Sequence, residues 1–437
     1  MSRERTGRAL ALLALALTLP LPARADNVDA TMTTLVQGFQ DLRDGQVHSV
    51  VPIIELVSVR GTDIQNSAVD DLSFVLSGWG ALQLGDQFQF ADPGSGGDLD
   101  LAYVQGSEFD KHLDFRVGRQ LVTGGSAQVL PIDGADVTVT PVKDFGLTAY
   151  GGAIVVPRFA VAEGDAAAGA RAFWRPSLTS EVGASFVDVL DQGLVARQEA
   201  GLDAHVVPLQ ALTLTAYALL STIDDRLAEG ELSATWQPLP SLELTGEYRR
   251  TAPDLFISAA SIFSVFAEER QDEVGGSGSW RISRWFAVDG DFYGIGTEEG
   301  WGHRGRARVK LTAGPTTTVG LEGRELLLQL APAYGVTGFI PVTEAGENGY
   351  YAADLFGTCH FSPALLAALD LEDYRFRAPV NGQSESYDGT ISVVYDVSKL
   401  WQVSLAGVEA VTPLVAPNTE VIARVVFNPT VSFREHK

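Results

Sequence analysis

The sequence predicts an all-β fold, a closed antiparallel transmembrane β-barrel, on three observations. Apolar and polar residues alternate with period two along most of the chain. The alternating segments are joined by links that are short and long in turn. Tryptophans gather beside the short links. Hydrophobic residues make up 46 % of the chain. No segment after the leader approaches the ~20 consecutive apolar residues that a membrane helix needs. The apolar residues must therefore share one face of many strands.

The leader comes first. Arg3, Arg5 and Arg8 make a short basic start, ALALLALALTLPL (9–21) an apolar run too short to span a bilayer, and Ala23-Arg24-Ala25 a cleavage signal. Residues 1–25 read as a secretory signal peptide, and 26–437 as a single barrel domain. No Cys follows the cleavage point, so a lipid anchor at the new N-terminus is not expected.

A first hairpin is expected around 31–41 and 47–60, turning at Arg43-Asp44-Gly45; it is the weakest signal, because 31–41 alternates poorly. The segment 72–84 follows. From residue 107 short links are expected near 107–111, 142–145, 175–178, 207–211, 238–240, 282–285, 313–316, 362–365 and 398–400. Longer ones lie between them, at 123–133, 157–164, 190–195, 222–229, 252–271, 296–302, 329–348, 377–386 and 412–418. Counting segments gives about 22 strands, or 20 without the first hairpin, with short periplasmic turns and longer extracellular loops.

Individual strands carry clear faces. In 241–249, Leu242, Leu244, Gly246 and Tyr248 oppose Glu243, Thr245, Glu247 and Arg249. In 349–361, Tyr351, Ala353, Leu355, Gly357, Cys359 and Phe361 share one face. The last segment places Val421, Ala423, Val425, Phe427, Val431 and Phe433 together. Trp174, Trp236, Trp280, Trp285 and Trp401 each lie near a short link on the apolar face, the pattern of an interfacial girdle. A soluble sandwich gives no reason for indoles to collect at one rim, and no fixed-period repeat supports a β-helix.

With its leader, link alternation, tryptophan rim and aromatic C-terminal strand, the chain resembles the porin-type outer-membrane barrels of Gram-negative bacteria. The strand pair LDFRVGRQLVTGG…LPIDGADVTV (113–139) is locally similar to one in porin-like and polysaccharide-export barrels. The resemblance implies outer-membrane lipid and the barrel-assembly machinery as partners, with Phe433 near the C-terminal assembly signal. Four residues beyond Phe433, Arg434 to Lys437, depart from that pattern. The resemblance further implies a channel for passive or facilitated diffusion of hydrophilic or charged solutes. A non-conducting structural or export barrel, its lumen filled by loops or a partner, is the alternative.

Charge and composition narrow the function. The formal charge is −24, and −27 without the leader, whose Arg3, Arg5, Arg8 and Arg24 outweigh Glu4. So acidic a chain repels nucleic acid. Cys359 is the single cysteine, so no internal disulfide forms and no Cys-based metal site is expected. None of His48, His112, His205, His303, His360 and His436 lies in a Ser/His/acid motif, and no glycine loop cradles phosphate. No enzyme, cofactor or metal is expected.

Function should lie on the non-lipid face. There Asp289 and Asp291, the row Arg304, Arg306, Arg308 and Lys310, and the pair Glu322 and Arg324 fall on successive strands. Such facing charge rows set up a transverse field at a constriction. Their other reading is cross-strand ion pairing inside a wide lumen, each pair worth less than about 1 kcal/mol. Four cations on alternate positions need acids opposite them. Arg116 is assigned to the same pore-lining face. Alternation sends Arg119 toward lipid, so either a bulge at Gly118 re-aims it or it lies near the headgroups. Asp133-Gly134 reads as the start of the returning strand rather than as a ligand.

One loop is unusually apolar: LFISAASIFSVF (255–266), within the long link 252–271. Leu255, Phe256, Ile257, Ile262, Phe263 and Phe266 would make an exposed greasy patch. They are expected either to fold inward as a constriction, or to extend the wall or rest on the membrane. Exported protein is expected to begin at Asp26, which N-terminal sequencing checks; an intact Met1 start overturns the leader assignment.

Overall fold

A barrel spans hydrocarbon only if every backbone N–H and C=O finds a partner, so the strand pairing is the fold. The structure, a computed structural model, describes residues 25–43, 46–64, 69–85, 95–108, 112–155, 164–252, 270–298, 300–330, 346–380, 382–412 and 418–432. The first hairpin is β1 (Ala25–Arg43) and β2 (Gln46–Ile64). It leads into β3 (Asp70–Gly85), β4 (Ser95–Glu108), β5 (Leu113–Thr123) and β6 (Val129–Val142). Next come β7 (Phe145–Ile154), β8 (Ala166–Ser177), β9 (Ser180–Asp191), β10 (Leu194–Leu209), β11 (Leu212–Ser221) and β12 (Arg226–Leu239). The circuit continues through β13 (Leu242–Thr251), β14 (Gln271–Arg281), β15 (Phe286–Thr297), β16 (Gly300–Ala313) and β17 (Thr317–Leu330). It ends with β18 (Gly346–Ser362), β19 (Leu365–Val380), β20 (Gln383–Asp396), β21 (Trp401–Val411) and β22 (Asn418–Phe427). A three-residue β23 (Thr430–Ser432) carries the last stave on past Asn428-Pro429.

Each strand pairs antiparallel with the next, and the sheet closes where β22 meets β1, from Met32↔Phe427 to Phe39↔Glu420. β23 extends the seam through Val28↔Val431. The closed antiparallel barrel thus has 22 staves, and the poorly alternating 31–41 segment is a full strand, locked on both sides by β2 and β22. Its pairing is decided by its neighbours' amides, which alternation does not report.

Three links expected to be long are short. Strands run to Asp191 and from Leu194, to Thr297 and from Gly300, and to Val380 and from Gln383. Past the hydrocarbon both faces of a hairpin meet water, so alternation fades before backbone pairing does. Gln192 and Gly193, at φ 51° and 76°, make the first of these a tight turn of left-handed residues.

The two faces are distinct. Leu202, Val274, Phe292 and Ile391 are each 60–65 % exposed, on strands spread around the barrel. Trp174, Trp236, Trp280, Trp285 and Trp401 are 44–53 % exposed, beside the short links. In water this much exposed apolar surface has no role; in a bilayer it is the lipid face.

Arg119 sits on this outer face, in line with Val117 and Leu121. Gly118 has φ +127°, yet pairing stays in register through it, with Val117↔Ala135 and Arg119↔Asp133. No bulge re-aims the guanidinium. A Cβ on Gly118 would lie 2.1 Å from the Ala102 carbonyl oxygen, so only glycine fits there. Arg119 instead forks onto Asp133, Nε and Nη2 each donating at 2.8 Å, and Nη1 donates to the Leu99 carbonyl at 2.8 Å. The returning strand starts at Val129, four residues before Asp133, and Asp133 is the partner that Arg119 requires. A paired fork satisfies the charge locally.

Asp133→Asn is expected to lower barrel stability by about 1–3 kcal/mol, because the guanidinium loses its bidentate partner on the lipid face and keeps only Asp98, 3.3 Å from Nη1. Arg119→Leu combined with Asp133→Leu should recover most of that loss. Urea unfolding of the protein refolded into lipid vesicles measures both; equal loss in the single and double variants overturns the pairing argument.

Candidate functional site

The inner face is charged. On β15, Asp291 accepts from Nε of Arg306 at 2.7 Å and lies 3.8 Å from Nη1 of Arg304. Arg304 also reaches Glu273 on β14 at 3.1 Å, its guanidinium over the Tyr293 ring. Arg308 donates to Glu322 at 2.5 Å, and Arg324 meets that same carboxylate at 3.1 Å before pairing across to Glu372 on β19. Asp289 accepts from Ser279 at 2.7 Å. Arg116 pairs with Asp136 at 3.0 Å on β6. Among the described residues Lys310 has no ion pair. The three arginines of the basic row therefore have the acids they require, with Asp291 and Glu322 each shared by two arginines.

These residues lie together because register puts them there: Asp289↔Arg308, Asp291↔Arg306, Arg306↔Arg324 and Arg308↔Glu322 are direct cross-strand neighbours. Lining continues along the earlier strands. Arg171 on β8 donates through Nε to Asp203 at 3.0 Å and pairs with Glu181 at 2.6 Å. Arg249 meets Glu231 and Glu247 at 3.2 and 3.1 Å, and Tyr293 donates to Glu247 at 3.2 Å.

A hook narrows the lumen. Between β5 and β6 the chain turns through Gly124 and Gly125, at φ 96° and 56°, into one turn of 3₁₀ helix (Gly125–Ala127), leaving through Gln128 at φ 52°. It points inward and rests on β9, β10 and β12. The Ser126 N–H donates to Ser185 Oγ at 2.7 Å, and Arg197 donates to the Ser126 carbonyl at 2.7 Å. The Gln128 amide donates to Glu229, which also accepts from Tyr217. Ala127 is 1 % exposed in a small apolar cluster with Val122, Leu130, Ile132, Tyr150, Ala167 and Val187. At Gly125 a Cβ would lie 2.5 Å from Ser185 Oγ, so a side chain there would push the hook off the wall.

The pairings join every proposed pore-lining residue except Lys310 to another polar group. They also bring in Arg171, Arg197, Glu199, Glu229 and Gln128, which the sequence did not mark. The signal that could have found the hook is Gly124-Gly125-Ser126, three small residues in a link otherwise read as an ordinary outer loop. The apolar segment with Leu255, Phe256, Ile257, Ile262, Phe263 and Phe266 lies outside the described residues, as does Phe433.

Closed strand pairing, an apolar outer band and a charged interior define a membrane-spanning β-barrel of porin-type architecture. No protein-family model and no curated protein matches the sequence. Among solved structures the chain is similar to Acinetobacter baumannii OccAB4, with 9 % identity over 94 % of this chain and 100 % of that one, TM-score 0.47. It is similar as well to Pseudomonas aeruginosa OccK5 (OpdH), 12 % identical over 92 % and 98 % of the two chains, TM-score 0.43. For Pseudomonas aeruginosa OccK8 (OprE) the values are 11 %, 93 % and 98 %, TM-score 0.44. The barrel assignment rests on this chain's own pairing.

Arg197 anchors both the hook and Glu199, which is 1 % exposed and 2.9 Å from its Nη2. Arg197→Ala is expected to cost about 3–5 kcal/mol by leaving that carboxylate buried and uncompensated, and Arg197→Met with Glu199→Met to cost clearly less. Chemical unfolding midpoints in detergent decide; a double variant as unstable as the single one removes the argument.

Proposed function

We propose that this protein is a porin-like channel of the bacterial outer membrane through which hydrophilic or charged solutes diffuse. The observation that carries the reading is the lumen wall: a belt of arginine–carboxylate pairs from β8 to β19, narrowed from one side by the 124–128 hook. A barrel of 22 strands is wide enough for an aqueous interior. Charged rows of both signs suit polar solutes and repel apolar ones. The hook supplies a constriction. The leader and the apolar outer band favour export and insertion into the outer membrane. Arg304, Arg306, Arg308, Lys310, Asp289, Asp291, Glu322, Arg324 and Arg116 are the proposed lining residues. The five tryptophans near the short links are the proposed interfacial girdle.

Purified protein in a planar bilayer is expected to give stepwise currents. Replacing 124–128 by two glycines should raise unitary conductance roughly 1.5- to 3-fold, and Arg306→Gln should move the reversal potential in a salt gradient toward cation preference. Absence of step currents at every voltage would favour a non-conducting structural or export barrel instead.

A further inference from the structure

Beyond the arginine belt the inner wall changes character. Glu322, Asp354, Glu372 and Asp388 stand directly opposite one another across β17, β18, β19 and β20. Asp370 lies on the same face, two residues from Glu372 along β19. Adjacent strands are about 4.8 Å apart, and like charges in direct cross-strand register repel. Glu322 is neutralised by Arg308 and Arg324, and Glu372 is paired with Arg324, which leaves the three aspartates without a base. Asp354, Asp370 and Asp388 have no hydrogen bond or ion pair among the described residues.

Asp354 is the sharpest case. It is 8 % exposed, and its Oδ1 is buried without a partner. The charges acting on it are Asp370 and Glu322 of like sign, and Arg324 and Arg308, both already engaged. Asp388, opposite Glu372, is acted on by the like charges of Asp370 and Glu420, and Glu420 is taken up by Gln37 and Asn418. The next inward base along β22, Arg424, is four residues from Glu420. A buried carboxylate without a counter-charge is costly, so the charge balance has to come from solution.

We propose that Asp354, Asp370, Glu372 and Asp388 form a binding patch for a divalent metal cation, Mg²⁺ or Ca²⁺, on the lumen wall opposite in sign to the arginine belt. Among the described residues no three ligands converge as a preformed cage. The cation is therefore held with part of its water shell, contacting one or two carboxylates directly, the way Mg²⁺ usually binds. Filling the patch removes the repulsion along β18–β20 and gives the lumen a site that recruits cations while the arginine belt recruits anions.

Binding is read in detergent on the full-length protein, so it does not depend on whether the barrel conducts. Isothermal titration with MgCl₂ and CaCl₂ is run beside thermal unfolding in divalent salt and in NaCl of equal ionic strength. The wild type should bind a divalent cation and unfold at a higher temperature in divalent salt than in the matched NaCl. Asp354→Asn with Asp388→Asn should weaken binding at least tenfold and abolish that difference. Since the substitutions relieve repulsion, the variant should itself unfold at a higher temperature than the wild type without divalent ions, which separates lost binding from lost folding. Three results overturn the proposal: no binding by the wild type, equal binding by the variant, or a stabilisation that acidification to pH 5 reproduces while no divalent ion binds.

Discussion

In a hydrocarbon medium an unpaired peptide group costs several kcal/mol and water is not there to relieve it. The closed ring of amide pairs, sealed where β1 meets β22 and β23, answers that constraint, and the rest of the molecule depends on it. Because pairing is antiparallel and side chains alternate, closure forces one face of every strand outward and the other inward. An apolar band and a charged interior follow from the same geometry. The period-two pattern is the trace of this arrangement in the chain.

Charge on the outer face is tolerated where it is paired. Arg119 and Asp133 are cross-strand neighbours, and two parallel hydrogen bonds close the guanidinium fork onto the carboxylate. The glycine beside Arg119 lets β5 lie close against β4 on its other side, since any Cβ would strike the Ala102 carbonyl. On the inner face the same device is repeated at larger scale. Asp291 and Glu322 each serve two arginines, so the row of cations is stitched to its neighbours instead of repelling itself.

The hook and the acidic sector give the lumen its asymmetry. One side is narrowed by a loop whose backbone, more than its side chains, makes the contacts: the Ser126 N–H and C=O both bond to the wall. The other side carries carboxylates in register on β18, β19 and β20, of which Asp354 and Asp388 have no base among the described residues. The lumen wall thus combines paired charges, a polar loop and an acidic surface. Fields of this kind act through side chains held by strands, so they are rigid and cost little to organise.

Much of this was legible from the residues alone. Alternation gave the faces, the links gave the strand order, and the indoles marked one rim, since each follows from local chemistry repeated along the chain. The charged rows of β15, β16 and β17 were legible for the same reason, being consecutive hairpins of regular register. Three features were not. The pairing of β1 rests on neighbours almost the whole chain apart, and Asp133's service to Arg119 needs the exact cross-strand partner. The inward turn of 124–128 depends on β9, β10 and β12 lying across its path. Sequence reports what each strand offers to its two faces; only closure of the ring decides which offers meet.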